Sequence, residues 1–256
     1  IAEGHAAAMA AGMAKQGLVP VFAVYSSFLQ RGFDMLLHDV GLLGLHVVFA
    51  VDRAGLVGAD GPTHHGCADV GFLRAVPGMT VLCPACFDEL RAMLRAAVGM
   101  EGPVAIRYPR GGEARQYPAW TGEGASVLRE GGFVTLVSYG TLTDELLAAA
   151  EALAEQGVGA EVVKLHRIAP LDAGPVLESV KRTGRLVVLE DCLESGSVGR
   201  ELAASLAEAG TAVKALVLKN LKGSFAPQGT VPQLRRALGL DAQAVVETVL
   251  AMDDRE

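Results

Sequence analysis

The chain lacks the features of three broad classes of protein. Its four cysteines, at positions 67, 83, 86 and 192 of 256, are too few and too scattered for a disulfide framework. No apolar run reaches the ~18 residues of a membrane-spanning helix, and the first residues do not have the pattern of a signal peptide. The net charge of −7 argues against a basic, nucleic-acid-binding face. We therefore expect a reduced, acidic protein in the cytoplasm.

Familiar short motifs are scarce as well. Cys83-Pro-Ala-Cys86 has redox or zinc spacing, but there is no second cysteine pair, so we interpret it as a strand end and a turn. The glycines do not fit a dinucleotide fingerprint, and no phosphate-loop lysine motif is present. Because the first residue is Ile1, we expect the chain to begin inside a longer or processed gene product.

Apolar runs alternating with amphipathic stretches predict parallel α/β structure. The predicted strands of the first block are Val19–Val24, Leu45–Val51, Met79–Cys83 and Val104–Arg107. Its predicted helices are Ala2–Lys15, Phe28–Val40, Ala68–Ala75 and Cys86–Val98. Residues 1–110 are therefore expected to form one domain.

A stretch rich in glycine and proline, residues 111–124, is typical of an interdomain linker. A second α/β block, residues 125–256, follows it. Its predicted strands are Phe133–Ser138, Gly159–Lys164, Arg185–Leu189 and Ala212–Leu218. Its predicted helices are Leu142–Glu155, Ala173–Lys181, Val198–Ala209, Val231–Leu238 and Ala242–Met252. We expect each block to have its own core.

Polar, glycine-rich segments follow the first two predicted strands. They are Tyr25-Ser-Ser-Phe-Leu-Gln-Arg31 and the stretch from Asp52 to Gly66. Ligands of open α/β sheets bind beyond the carboxyl ends of strands. These two segments are therefore the predicted functional site.

Several motifs together resemble 1-deoxy-D-xylulose-5-phosphate synthase, a thiamine diphosphate enzyme. Besides the two segments above, they are Ile1-Ala-Glu-Gly-His-Ala6, Arg107-Tyr-Pro-Arg-Gly111, Pro227-Gln-Gly-Thr230 and Gly239-Leu-Asp241. The resemblance extends to about Val249 and corresponds to the second and third domains of that family. It implies two open, mainly parallel-sheet α/β domains: a thiamine diphosphate pyrimidine-binding domain and a transketolase C-terminal-like domain.

The resemblance implies roles for two residues at the cofactor. Glu3 would be the carboxylate that bonds to the aminopyrimidine and activates it, and Phe28 would stack on that ring. From the residues alone, Glu3 also fits an ordinary acid at a helix N-terminus, and Phe28 fits a core aromatic. Gly4 stands where the family has glutamine, which leaves the local packing beside Glu3 open.

Four further residues are implied in binding a phosphorylated triose. Arg53 and Arg110 match the phosphate-binding arginines, Tyr25 matches a hydroxyl donor beside them, and Arg31 matches another active-site arginine. Surface salt bridges are the alternative for these arginines, above all for Arg110 at the domain edge.

Asp60 and His64 match the family's contacts to substrate hydroxyl and carbonyl oxygens. Histidine exchanges protons near neutral pH, as carboligation requires. His65 lies beside them without an equally firm role. A metal site of His64, His65 and Cys67 is disfavoured because adjacent residues rarely reach one ion together.

The implied reaction joins pyruvate, after loss of CO₂, to glyceraldehyde 3-phosphate, for isoprenoid and thiamine precursor biosynthesis. The Gly-Asp-Gly segment and following asparagine that hold the diphosphate and Mg²⁺ in thiamine enzymes are not recognisable here. We therefore expect the absent first domain to hold Mg²⁺ and diphosphate, this chain alone to be inactive, and the complete enzyme to be a homodimer.

Two alternatives remain open. The chain could be part of another split thiamine enzyme, such as a transketolase C-terminal subunit or a 2-oxo acid dehydrogenase beta subunit. It could also be a non-catalytic, degenerate relative that docks to a partner. The intact Glu3, Arg53, Asp60, His64 and Arg110 argue against the second alternative.

Overall fold

A computed structural model describes residues 1–253, which form two five-stranded sheets covered by helices. The strands are β1 (Val21–Tyr25), β2 (Val48–Asp52), β3 (Thr80–Leu82), β4 (Val104–Arg107), β5 (Ala125–Arg129), β6 (Val134–Tyr139), β7 (Ala160–Leu165), β8 (Arg167–Ala169), β9 (Arg185–Leu189) and β10 (Ala215–Lys219). The strand orders are β1-β2-β4-β3-β8 and β10-β9-β6-β7-β5. All pairs are parallel except β3–β8 and β5–β7, which confirms the predicted fold class.

Helices cover the sheets. They are α1 (Glu3–Lys15), α2 (Ser26–Leu29), α3 (Phe33–Met35), α4 (Asp69–Arg74), α5 (Phe87–Val98), α6 (Thr143–Glu155), α7 (Gly174–Thr183), α8 (Val198–Glu208), α9 (Val231–Ala237) and α10 (Ala242–Asp253). Within residues 1–253, none of these helices is long and apolar enough to cross a membrane. Most predicted elements are present, with ends shifted by up to three residues.

The predicted helix Phe28–Val40 is helical throughout in the structure, but it is irregular. Helical structure begins earlier, at Ser26, and changes type three times. Between α2 and α3 lies a 3₁₀ turn, Gln30–Gly32, and after α3 comes a π-helical segment, Leu36–Gly41. The segment packs against α1: a Cβ on Gly32 would be in ordinary contact with the Cβ of Ala7, at 3.6 Å.

Two strands, β5 and β8, are missing from the sequence prediction. The half-buried β5 follows the linker and runs antiparallel to β7, and β8 has only three residues. β8 follows β7 in the chain but joins the first sheet, where it pairs with β3. A segment beyond residue 124 therefore completes the sheet of the first block.

The buried apolar residues of the two sheets are continuous. One cluster contains Phe49 and Val51 of the first sheet together with Val163 and Val188 of the second. In this region the two blocks therefore share buried apolar residues. The division into residues 1–110, 111–124 and 125–256 stays a prediction.

Candidate active site

The predicted site residues lie at the carboxyl ends of three neighbouring parallel strands. Tyr25 ends β1, Arg53 directly follows β2, and Arg110 follows β4 by three residues. The central β2 pairs with both β1 and β4, so the three ends meet at one edge of the sheet. This is the edge at which open α/β sheets bind ligands.

Glu3 is a buried carboxylate in an open cleft. It is the first residue of α1 and is only 5% exposed, yet neither carboxylate oxygen has a hydrogen-bond partner in the structure. The cleft has a volume of about 460 Å³ and is lined by Ile1, Ala2, Glu3, Ala6, Phe22, Ala23, Val24, Tyr25 and Phe28. A buried acid without hydrogen bonds is costly, so this geometry fits a ligand that donates a hydrogen bond to Glu3.

Aromatic rings form the wall next to Glu3. The rings of Phe28 and Tyr25 lie 5.2 Å apart, and the imidazole of His64 meets Phe28 edge-on at 5.3 Å. Arg31 reaches over the same wall, with its guanidinium carbon 5.4 Å from the Phe28 ring centre and Nη1 3.5 Å from Glu3 Oε1. Arg31 therefore lies at the Glu3 end of the site.

Arg53 is held firmly, unlike an ordinary surface arginine. Its guanidinium carbon lies 3.7 Å from the centre of the Tyr25 ring, and its Nη1 donates to Asp52 Oδ2 at 2.7 Å. The backbone N–H of Arg53 donates to the other oxygen of Asp52. Its φ of +59° is rare for a residue with a side chain. Strain of this kind is concentrated at functional sites, which favours the binding interpretation of Arg53.

Asp60 joins the two arginines predicted to bind phosphate. Arg110 Nη1 donates to Asp60 Oδ2 at 2.5 Å, and Arg53 Nε lies 3.9 Å from the same oxygen. The hydrogen bond from Arg110 holds the pKa of Asp60 below its ordinary value, with help from the charges of Arg110, His64 and Arg53. A phosphate group arriving between the arginines would compete with Asp60 for them.

All the predicted site residues belong to one chain of contacts. The order is Glu3, Arg31, Phe28, Tyr25, Arg53, Asp60 and Arg110, with His64 branching from Phe28. The sequence prediction is therefore correct about their proximity, while their individual roles stay predictions. Asp52, which orients Arg53, lies in the predicted functional segment but was given no role of its own.

The glycine at position 4 gives room to a neighbouring side chain. A Cβ there would lie 3.2 Å from Cε of Met35 and 3.6 Å from the carbonyl oxygen of Arg31. Met35 thus packs against the backbone at Gly4. Glu3, the residue before it, lines the cleft. The absence of a side chain at Gly4 leaves Glu3 in place.

The second block supports the segment that carries Arg53 and Asp60. Leu56 N donates to Asp191 Oδ2 at 3.4 Å, and a Cβ on Gly55 would come within 1.9 Å of that oxygen. Gly55 also has a φ of +73°, so only glycine fits there. The sequence contains no local signal for this support, because Asp191 is 136 residues further along the chain than Gly55.

The described residues offer neither a disulfide nor a cluster of metal ligands. All four cysteines are buried and free. Cys83 directly follows β3, in agreement with the predicted strand end. Burial raises the pKa of the Cys83 thiol to about 12, which suppresses the reactive thiolate. Within residues 1–253 there is no group of three or more His, Cys, Asp or Glu residues that could hold a metal ion.

Comparison with known families identifies both blocks. Residues 1–113 match the family described as transketolase, pyrimidine binding domain, and residues 123–245 match transketolase, C-terminal domain. The chain therefore belongs to the transketolase family and contains these two of its domains.

The curated relatives narrow this class. The chain is 43% identical over 253 residues to 1-deoxy-D-xylulose-5-phosphate synthase 1 of Geobacter sulfurreducens, covering 96% of the chain and 39% of the relative. It is 44% identical over 257 residues to the synthase of Dechloromonas aromatica, covering 98% and 40%. The chain thus spans about two fifths of the length of these relatives.

One solved structure is similar to this chain over nearly the whole length of this chain. The split-gene transketolase in an inactive β4 tetramer is 29% identical and superposes with a TM-score of 0.90. The match covers 98% of this chain and 82% of that one. Most of that split-gene chain is therefore similar to this one.

Proposed function

We propose that this chain is the pyrimidine-binding and acceptor-binding part of a thiamine diphosphate-dependent transferase of the 1-deoxy-D-xylulose-5-phosphate synthase type. The supporting observation is the buried carboxylate of Glu3, which lacks hydrogen bonds and lies beside Phe28. The same line of contacts ends in the pair Arg53 and Arg110. The proposed reaction joins pyruvate, with loss of CO₂, to glyceraldehyde 3-phosphate.

Glu3 would accept a hydrogen bond from the aminopyrimidine ring of thiamine diphosphate. The cofactor supplies the electron sink that lets pyruvate lose CO₂ and lets the two-carbon unit join an aldehyde. Phe28 would provide the flat apolar surface on which the ring lies and would exclude water from it. Both roles are properties of this chain's own residues.

The acceptor would bind at the other end of the site. The phosphate of a triose phosphate would bridge Arg53 and Arg110, because guanidinium groups bind phosphate oxygens in pairs. The hydroxyl of Tyr25 lies on the same wall. Asp60 lies beside the two arginines, and His64 lies against Phe28. These two side chains would contact the acceptor's hydroxyl and carbonyl oxygens.

The diphosphate and Mg²⁺ would be held by a segment outside these two domains, on the same or another chain. Exposed apolar residues lie on α1 (Met9 and Met13), in the connection that follows it (Leu18 and Val19) and on the edge strand β1 (Val21). Such a surface is suited to burial against another domain. We propose that the diphosphate-binding domain covers it, in a homodimeric cytoplasmic enzyme of isoprenoid and thiamine precursor biosynthesis.

Identity favours the synthase over transketolase itself. The chain is 41–44% identical to curated synthases and 29% identical to the split-gene transketolase. The transketolase remains informative about organisation, because this chain covers 82% of its length. We therefore propose that a two-domain chain of this type acts together with a separate or preceding diphosphate-binding part.

Substitution of Glu3 tests the proposal directly. In the assembled enzyme, with thiamine diphosphate, Mg²⁺, pyruvate and glyceraldehyde 3-phosphate, Glu3→Gln should abolish turnover, because the neutral amide cannot replace the carboxylate. The fold should persist, since the side chains are nearly the same size, and the urea midpoint should show this. Glu101→Gln, on an exposed residue before β4, is the matched control.

A variant that keeps more than about a tenth of normal turnover, a barrier change below about 1.4 kcal/mol, would rule out Glu3 as the activating group. A wild-type assembly that uses ketose phosphates as donors in place of pyruvate would favour transketolase. The purified 256-residue chain alone should give no product.

A further inference from the structure

His65 connects the acceptor-binding segment to the second block. Its ring is 9% exposed and lies between two main-chain groups. Val57 N–H donates to Nδ1 at 3.1 Å, and Nε2 lies 2.9 Å from the carbonyl oxygen of Pro227. One partner belongs to the segment that carries Asp60, and the other is 162 residues further along the chain than His65.

These two contacts determine the protonation state of the ring. A nitrogen that accepts from an N–H must carry no proton, and a nitrogen that faces a carbonyl must donate one. The geometry therefore requires the neutral tautomer with the proton on Nε2. In the doubly protonated ring, Nδ1–H would oppose Val57 N–H, and that hydrogen bond would be lost.

Other contacts at the same place strengthen the connection. Gln228 Nε2 donates to the carbonyl oxygen of Ala59 at 2.8 Å, and a Cβ on Gly58 would lie 3.2 Å from the carbonyl oxygen of Gly229. Leu56 packs in the apolar cluster of the second block, together with Ala226 and other residues. Residues 226–229 thus hold the short 3₁₀ turn Gly58–Asp60 from outside the first block.

We propose that His65 is a positioning residue that holds Asp60, and through it Arg110 and Arg53, in the arrangement that binds the acceptor phosphate. This inference rests on the proposed function of that segment. His65 itself contacts neither arginine; it acts through Val57 and the turn that follows. Position 65 would then set acceptor affinity.

Amide hydrogen exchange on the 256-residue chain tests the connection without any activity. His65→Phe removes both hydrogen bonds, so the amide of Val57 should lose protection. His65→Gln should preserve protection, because a carboxamide offers one acceptor and one donor and does not titrate. His46→Gln is the matched control: His46 also bonds to a main-chain carbonyl, that of Gly102, but precedes β2 at the opposite end of the sheet.

Kinetics of the assembled enzyme test the positioning role. In His65→Phe, the KM for glyceraldehyde 3-phosphate should rise by about 2- to 12-fold, the effect of one hydrogen bond, while kcat and the KM for pyruvate change little. His65→Gln should keep the wild-type KM, because its carboxamide can replace both hydrogen bonds of the ring.

The outcomes separate the two hypotheses. Unchanged protection of Val57 in His65→Phe would overturn the connection, whatever the activity. Lost protection with an unchanged acceptor KM, or a KM raised as much in His65→Gln as in His65→Phe, would overturn the positioning role. A wild-type assembly that makes no product would count against the proposed function, and the exchange experiment would still decide whether His65 holds the segment.

Discussion

At the scale of single residues, Arg53 supports the proposal that the site binds an anion. Three neighbours fix its side chain, and its backbone has a left-handed φ. An arginine kept in place by an aromatic ring and a carboxylate loses little entropy when it binds phosphate. Its side chain is 20% exposed, so one face stays accessible to a ligand.

Arg53→Ala and Arg110→Ala should weaken acceptor use in the assembled enzyme. Loss of a charged hydrogen bond to phosphate costs about 1.5–3 kcal/mol, so the KM for glyceraldehyde 3-phosphate should rise by roughly 10- to 150-fold. Reaction with pyruvate before the acceptor binds should be nearly unchanged. Arg91→Ala, on an exposed arginine of α5 paired with Asp88, is the control.

Glyceraldehyde without phosphate gives an internal check on this prediction. Its use should fall little in the two variants, because it never made the lost contact. If pyruvate binding is lost instead and the preference for the phosphorylated acceptor persists, the arginines are carboxylate clamps or structural ion pairs.

A second residue-scale prediction concerns His166, which is buried where the linker and both blocks meet. Burial and the nearby charge of Lys164 hold the pKa of His166 below its ordinary value, although Glu89 and Glu123 act in the opposite direction. The unfolded chain therefore takes up this proton at a higher pH than the folded one. Stability should consequently fall as the pH drops below about 6.5.

His166→Gln should remove part of this acid sensitivity. The difference between urea midpoints at pH 7.5 and pH 5.5 should be smaller in the variant than in wild type, because glutamine does not titrate. The exposed His38 supplies the control His38→Gln, which should behave like wild type. An equal acid loss in His166→Gln and wild type would show that other groups cause it.

At the scale of elements, the turn after β2 depends on glycine. Gly55→Ala would combine a left-handed backbone with a collision against Asp191, so the free energy of unfolding should fall by more than about 1 kcal/mol. Gly12→Ala should raise it by about 0.5–1 kcal/mol, because Gly12 is inside α1 and nothing lies within 4 Å of its Cβ position. Urea denaturation of the chain measures both.

The two substitutions are informative together, because Gly55→Ala should lower the free energy of unfolding and Gly12→Ala should raise it. A stabilising or neutral Gly55→Ala would mean that the segment relaxes away from Asp191. The second block would then not constrain the backbone between Arg53 and Asp60.

At the scale of the whole molecule, the two blocks are joined by more than the linker. β8 pairs with β3, and a common cluster of buried residues connects the sheets. Residues 110–114 are nonetheless exposed. Trypsin should therefore cut first after Arg110, and limited proteolysis followed by mass spectrometry should detect fragments 1–110 and 111–256.

The two fragments should stay together after this cut. Under native conditions they should elute from a sizing column at the volume of the intact chain, and urea should separate them. Early cleavage within residues 130–250, with the linker intact, would count against the predicted boundary. Separation without denaturant would mean that β8 and the common cluster contribute little to association.

The sequence by itself determined the fold class and the composition of the site. Apolar runs such as Val104–Arg107 can be buried only as strands covered on both faces, and the polar segments after β1 and β2 must then meet at one edge. Residues close together in the chain, such as Tyr25 and Phe28, were placed correctly because the chain itself connects them.

Only the tertiary structure decided what depends on distant contacts. The pairing of β8 with β3, the packing of Gly32 against α1, and the support of Gly55 by Asp191 are produced by residues far apart in the chain. The hydrogen bonds of His65 to Val57 and Pro227 have the same origin. Local propensity and periodicity carry no information about such contacts, because packing between the two blocks determines them.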